Sequence, residues 1–150
     1  MTYAGFMTTD VHETVDHQLR RARQRYTGGR RQLVQLLIDA GRPVTIPELQ
    51  DIGAAQSQSS LYRNLATLEQ CGAVRRIISS DDVTRYELTE ELSEHHHHLL
   101  CSLCGRLEDV VLPPRIETAL AEAAEEARRQ TDFDVDSHRF ELVGTCATCG

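Results

Sequence analysis

With 150 residues, 40% of them hydrophobic, the chain has the apolar content of one ordinary domain or two small ones and too much for wholesale disorder. Its formal net charge of −7 argues against a uniformly basic nucleic-acid binder, yet the charge is uneven: residues 1–90 hold 11 Arg against 11 Asp and Glu, and residues 91–150 hold 5 Arg against 12. No apolar run approaches a membrane span and the N-terminus lacks the charged-then-apolar pattern of a signal peptide, so a cytoplasmic setting is expected, in which cysteines stay reduced.

Residues 1–12 show no periodicity and read as a flexible tail. Val15 to Tyr26 reads as an Arg-rich helix, interrupted by Gly28 and Gly29. Between His17 and Arg31 there are six Arg and no acid, a local basic patch. From Arg30 to Ala40, Leu33, Leu36, Leu37 and Ala40 fall on one helical stripe; Gly41 suits the left-handed residue after it, and Pro43 prevents its continuation. Thr45-Ile46-Pro47-Glu48 is a capping-box pattern opening a short helix that stops at Gly53. Ser57 can cap a further helix, Gln58 to Gln70, with Leu61, Leu65 and Leu68 on its apolar stripe. Ser59, Tyr62, Arg63 and Ala66 face away from that stripe. Two β-like runs, Val74–Ile78 and Thr84–Leu88, follow as a hairpin. Helix, short helix, turn, helix and hairpin is the order of a winged helix-turn-helix.

A second half begins near Glu90. His95–Cys101, Arg106–Leu112 and Ser137–Gly144 read as strands, and Pro113–Gln130 as a helix with an apolar side (Ile116, Leu120, Ala123, Ala127) and an acidic one (Glu122, Glu125, Glu126). Three strands with one helix leave a face and an edge uncovered, which predicts dimerisation. The fold class expected is therefore α+β: a winged helix-turn-helix domain over 1–88, a hinge over 89–94, and a small α/β dimerisation domain with a three-stranded sheet over 95–150.

The chemistry concentrates in this second half. Cys101, Cys104, Cys146 and Cys149 form two Cys-x-x-Cys pairs, a set that zinc accepts tetrahedrally with no open position and hence as a structural site. The run His95-His96-His97-His98 abuts the first pair. On a strand, alternate side chains point to opposite faces, so His95 and His97 can feed one site while His96 and His98 feed another. Glu117 and His138 are available to the first; Glu87, Glu108 and Asp109 are available to the second. Mixed His and carboxylate ligation suits zinc, ferrous iron, manganese or nickel. Cys71, at the end of the Gln58–Gln70 helix, reads either as a small buried residue or as a reactive or ligating thiol.

Ser60-Leu61-Tyr62-Arg63-Asn64-Leu65 followed by Leu68 and Gly72, then Arg85-Tyr86-Glu87-Leu88, the His95–His98 run before Cys101-x-x-Cys104-Gly105, and Cys146-x-x-Cys149 together resemble the ferric uptake regulator (Fur) family of bacterial metal-dependent repressors. The resemblance runs from about Thr27 to Gly150. It implies a homodimer in which Cys101, Cys104, Cys146 and Cys149 hold structural Zn2+. It further implies that His95, His97, Glu117 and His138 form a dimerisation-domain site, and that Glu87, His96, His98 and Asp109 form a hinge site sensing Zn2+ or Fe2+, with Mn2+ or Ni2+ as further candidates. The chain departs from the family's branches in two places. Iron and peroxide sensors place a His near the position of Pro43, and zinc sensors use an Asp and a Cys where this sequence has Arg75 and Thr89.

The function so implied is metal-responsive repression of metal-uptake and homeostasis genes, not enzymatic catalysis. Two recognition helices of a dimer would enter the major grooves of a pseudo-palindromic, A/T-rich double-stranded DNA operator, with Ser59, Tyr62 and Arg63 nearest the bases or backbone and Arg23 and Arg30 on phosphates. The alternatives are a peroxide-sensing regulator of the same family, a metal-storage protein, or a zinc-dependent hydrolase. The last lacks an HExxH or nucleophile motif and would leave the winged helix unexplained.

Overall fold

The computed structural model describes residues 8–150, and the chain divides into two compact units, the first ending at Glu94 and the second running from His95 to Gly150. The first unit holds α1 (Thr8–Arg21), α2 (Gly28–Ala40), α3 (Ile46–Asp51), α4 (Gln58–Gln70), β1 (Val74–Ile78) and β2 (Thr84–Leu88). The second holds β3 (His97–Cys101), β4 (Leu107–Val110), α5 (Pro114–Gln130) and β5 (Glu141–Gly144).

The first helix differs from the sequence expectation at both ends. It begins at Thr8, inside the stretch read as a tail, because Val11, Val15 and Leu19 at i, i+4 spacing all join the core. It ends at Arg21 rather than Tyr26, and the chain turns through Arg23 at φ 56. The rest of the expected tail, residues 1–7, lies outside the described residues. Thr27 then caps α2, its side chain accepting from the Arg30 amide. Gly28 and Gly29 thus open this helix instead of preceding it, and Gly29 brings its backbone against Gln56, whose Nε2 donates to the Gly29 carbonyl at 2.8 Å. Gly41 closes the helix in the left-handed conformation (φ 57).

Thr45 and Glu48 form the full capping box of α3, and Ser57 caps α4. Leu33, Val34 and Leu37 of α2 bury against Leu61, Leu65 and Leu68 of α4 and Leu49 of α3, all essentially inaccessible to solvent. Each such leucine contributes roughly 1.5–3 kcal/mol of burial. The same core takes Val74, Tyr86 and Leu88 from the antiparallel hairpin of β1 and β2. Val44 adds a bridge to Tyr86, with both backbone hydrogen bonds made (3.0 and 2.8 Å), so the wing sits fixed on the end of α2. Asp82 supplies the positive φ of the wing tip. This is the winged helix-turn-helix order expected.

In the second unit the sheet order is β4-β3-β5, with β3 and β4 antiparallel and β3 and β5 parallel through the α5 crossover. The strands are shorter than the sequence pattern suggests: residues 95–96, 106, 111–112 and 137–140 lie outside the ladders. Among its described residues α5 buries none, and Leu142 and Val143 of β5 are 47% and 57% exposed. No described helix is long and apolar enough to cross a membrane.

Candidate metal centres

The three ligand groups of the second unit are built from the ends of its central strand. The turn after β3 closes by a hydrogen bond from the Gly105 amide to the Cys101 carbonyl (2.9 Å), with Gly105 at φ 74, and presents Cys101 and Cys104. The turn after β5 closes on the Cys146 carbonyl through the Cys149 and Gly150 amides, both at 3.0 Å. Because β5 runs parallel to β3, the two turns emerge at the same end of the sheet.

All four sulfurs lie within 4.8 Å of one another, and Cys104 Sγ to Cys146 Sγ is 3.8 Å. A tetrahedron of thiolates around a zinc ion with bonds near 2.3 Å has an edge of about 3.8 Å. None of the four cysteines is in a disulfide. Backbone amides of Cys104, Cys146 and Leu103 hold the Cys101 thiol down to about 6, and the Cys146 amide donates to Cys101 Sγ at 3.3 Å. The Thr148 amide likewise lowers Cys146. Amide donors aimed at sulfur favour the thiolate, the form that binds metal.

At the other end of the strand the side chains alternate. His95 and His97 stand ring to ring at 4.9 Å, and His138 stacks on His97 at 5.3 Å. Glu117, in the first turn of α5, joins them: its carboxylate lies 2.8 Å from His97 Nε2, 3.4 Å from His95 Nε2 and 3.8 Å from His138 Nε2. Burial works to raise the Glu117 carboxyl, but the His97 hydrogen bond and the neighbouring imidazoles outweigh it and keep it below its ordinary range. Three imidazoles and one ionised carboxylate, with ligand atoms all within 4.8 Å, can hold a divalent cation.

His96 and His98 face the opposite way, their rings 5.2 Å apart. Cross-strand pairing of His98 with Asp109 brings the Asp109 carboxylate to 3.8 Å from His98 Nε2 and 3.6 Å from His96 Nε2. Glu108 takes the other face and pairs with Arg106, so it leaves this group. Glu87, the remaining candidate ligand, lies on β2 in the first unit. There it is 1% exposed and receives the Arg75 Nε hydrogen bond at 2.6 Å, while Arg75 also reaches Glu90 at 3.2 Å. In the sequence Arg75 stands out only as a departure from the zinc-sensing pattern. The hairpin register sets Arg75 directly opposite Glu87, and this cross-strand placement makes the ion pair.

The candidate DNA contacts divide by position. Ser59, Tyr62 and Arg63 lie on the outer face of α4, Tyr62 being 52% exposed, and Arg63 is oriented by Ser60 Oγ at 3.2 Å. Arg23 is exposed at the left-handed turn after α1. Arg30 is half-buried and donates to Asn64 Oδ1 (3.2 Å), Thr67 Oγ1 (3.4 Å) and the Arg25 carbonyl (2.6 Å).

Residues 21–143 match the model of the ferric uptake regulator family. The chain belongs to this family. Membership carries the family's function, metal-responsive repression of transcription through DNA binding. Among curated proteins this Fur-family chain is similar to the peroxide-responsive repressor PerR of Staphylococcus epidermidis, at 28% identity over 148 residues, covering 91% of this chain and 93% of that one. Among solved structures it is similar to a zinc-bound manganese uptake regulator (28% identity, TM-score 0.68, 89% of this chain and 98% of that one). It also shares the fold of the Helicobacter pylori ferric uptake regulator (22% identity, TM-score 0.76, 96% and 94%).

Proposed function

We propose that this Fur-family chain is a homodimeric, cytoplasmic repressor of metal-uptake and homeostasis genes, in which the three ligand groups divide into two maintenance sites and one sensor. Cys101, Cys104, Cys146 and Cys149 hold structural Zn2+, a reading supported by the approach of all four sulfurs to within 4.8 Å of one another and by the amides directed at them. His95, His97, Glu117 and His138 pin α5 and the segment before β5 to the central strand through a second ion. His96, His98 and Asp109, with Glu87 from the wing strand, bind the regulatory ion, Zn2+ or Fe2+, with Mn2+ or Ni2+ as further candidates. The ion held by these ligands would supply the positive charge that its imidazoles and carboxylates share, and its binding would favour the DNA-binding state.

The observation that carries this reading is the alternation of the four histidines, which assigns one strand to two ligand groups on opposite faces. Dimerisation is supported by the exposed apolar β5 and by the absence of buried residues on α5 in the isolated chain. For DNA, α4 offers Ser59, Tyr62 and Arg63 to a major groove and Arg23 offers charge to the backbone. Arg30 serves from behind by fixing α4 against α2. A pseudo-palindromic operator follows from two-fold symmetry. A metal-storage or hydrolase role is disfavoured, because the whole first unit is spent on a winged helix.

The similarity to PerR supports a second reading, in which ferrous iron held by His96 and His98 makes the repressor responsive to peroxide. The test is DNA binding under metal buffering, with Zn2+, Fe2+, Mn2+ and Ni2+ titrated separately against DNA fragments selected from genomic sequence by the metal-loaded protein. At least one of these ions is expected to tighten binding about tenfold or more over a chelator control. Equal binding at all buffered levels would remove the repressor assignment, and loss of binding on peroxide treatment of the Fe2+ form alone would select the second reading.

A further inference from the structure

Glu87 is the most buried carboxylate of the first unit and is not left to itself. β1 and β2 pair in a register that sets Arg75 against it, Arg75 Nε donating to Glu87 Oε1 at 2.6 Å while Nη1 reaches Glu90 at 3.2 Å. The guanidinium is a third exposed and anchored at both ends, so its charge is held in place and not shared freely with solvent. A guanidinium cannot shed its proton at any working pH, so this cation cannot be switched off.

We infer that Arg75 is a resident competitor for Glu87: it occupies the carboxylate in the metal-free protein and sets how high the free metal level must rise before Glu87 enters the regulatory ligand set. The inference rests on the proposed role of Glu87 in the sensing site. Its physical basis is charge. A carboxylate almost wholly removed from water needs a cation beside it, and one cation must yield or crowd as the other arrives. Arg75 therefore weakens divalent binding while protecting the wing from a buried, uncompensated charge. It is a positioning residue, acting through Glu87 and not on the ion.

The test is a chelator-buffered Zn2+ titration of the full-length dimer, with the cysteine site and the His95 site already loaded and fold checked by circular dichroism. Arg75→Gln is expected to shift the regulatory midpoint to about tenfold lower free Zn2+, within the range of ordinary coupling between sites. Arg75→Met repeats the test with the apolar stem kept, should glutamine lower stability. Arg75→Lys, which restores the charge, is expected to return the midpoint to within about threefold of the parent. In Glu87→Gln the regulatory midpoint is expected to rise, and adding Arg75→Gln to that variant is expected to change nothing further. An unchanged or higher midpoint in both neutral Arg75 variants, with Glu87→Gln still raising it, overturns the competitor role and leaves Glu87 as a ligand. An unchanged midpoint in Glu87→Gln removes Glu87 from the sensing site and the competitor role with it.

Discussion

The imidazole of His97 lies 2.8 Å from the carboxylate of Glu117, joining the central strand of the second unit to the first turn of the helix that crosses over it. His95 and His138 close on the same carboxylate, so a single acidic side chain organises three imidazoles. Replacing Glu117 by Ala is expected to lower the metal content by about one ion per protomer, because one of four ligands is removed from that group alone. Elemental analysis after dialysis measures it. A full complement of metal in the variant would show that the three histidines hold no ion through Glu117.

Cys104→Ser removes one corner of the sulfur tetrahedron. The expected outcome is loss of the structural ion and destabilisation of the second unit by several kcal/mol, since metal binding supplies about 10 kcal/mol or more in small zinc domains. Thermal unfolding followed by circular dichroism, together with zinc content, reads this directly. An unchanged melting curve would mean that the four thiols are not a staple.

In the wing, Arg85 is 1% exposed and donates to both Asp81 oxygens, at 2.9 and 2.7 Å. The Arg85 hydrogen bonds hold the Asp81 carboxyl below its ordinary value of 3.8. A carboxylate depressed in the folded state contributes stability that is complete above its unfolded pKa and is lost as pH falls through the folded one. That contribution is therefore present at pH 5–7, begins to fall below about pH 4 and is lost as pH drops through the lower folded value. Asp81→Asn is expected to cost about 3 kcal/mol at neutral pH by leaving a buried guanidinium poorly compensated, and to flatten the acid limb of the stability curve. Urea unfolding at pH 7 and pH 3 distinguishes this from a surface pair, which would change stability by under about 1 kcal/mol at either pH.

Tyr62 and Arg23 are expected to fail in different ways. Tyr62→Ala removes an exposed ring from the outer face of α4, so affinity for the selected operator should fall while non-specific binding persists. Arg23→Ala should weaken binding to all sequences alike and lower the salt dependence by about one phosphate contact. Anisotropy titrations at several salt concentrations separate the two. Parallel losses across operator and random DNA for Tyr62→Ala would take it out of sequence readout.

The sequence exposed most of this arrangement because its signals are local. The capping box of Thr45 and Glu48, the Leu61-Leu65-Leu68 stripe and the histidine alternation each follow from residue spacing along one element. What it concealed depends on contacts made elsewhere. The start of α1 is specified by Val11 meeting the core, while the Arg run from Arg20 to Arg25 extends the helical appearance past the turn at Arg23, where no glycine or asparagine marks the left-handed residue. Strands β3 and β5 are shorter than the residue pattern suggests, since residues 95–96 and 137–140 make no ladder pairs, and His95 and His138 of these flanks face Glu117 instead. The pairing of Arg75 with Glu87 needed the hairpin register, which a five-residue connection without Asn-Gly leaves open.

The division of labour along the histidine strand is tested most directly by comparing operator affinity of the parent dimer and His96→Ala at low and saturating buffered metal, with the cysteine and His95 sites confirmed as loaded in both. The expected result is a metal-dependent gain of about tenfold or more in the parent and little gain in His96→Ala, with equal zinc retained at the cysteine site and closely similar melting curves. An equal metal-dependent gain in both proteins would contradict it and place sensing outside the face that His96, His98 and Asp109 share.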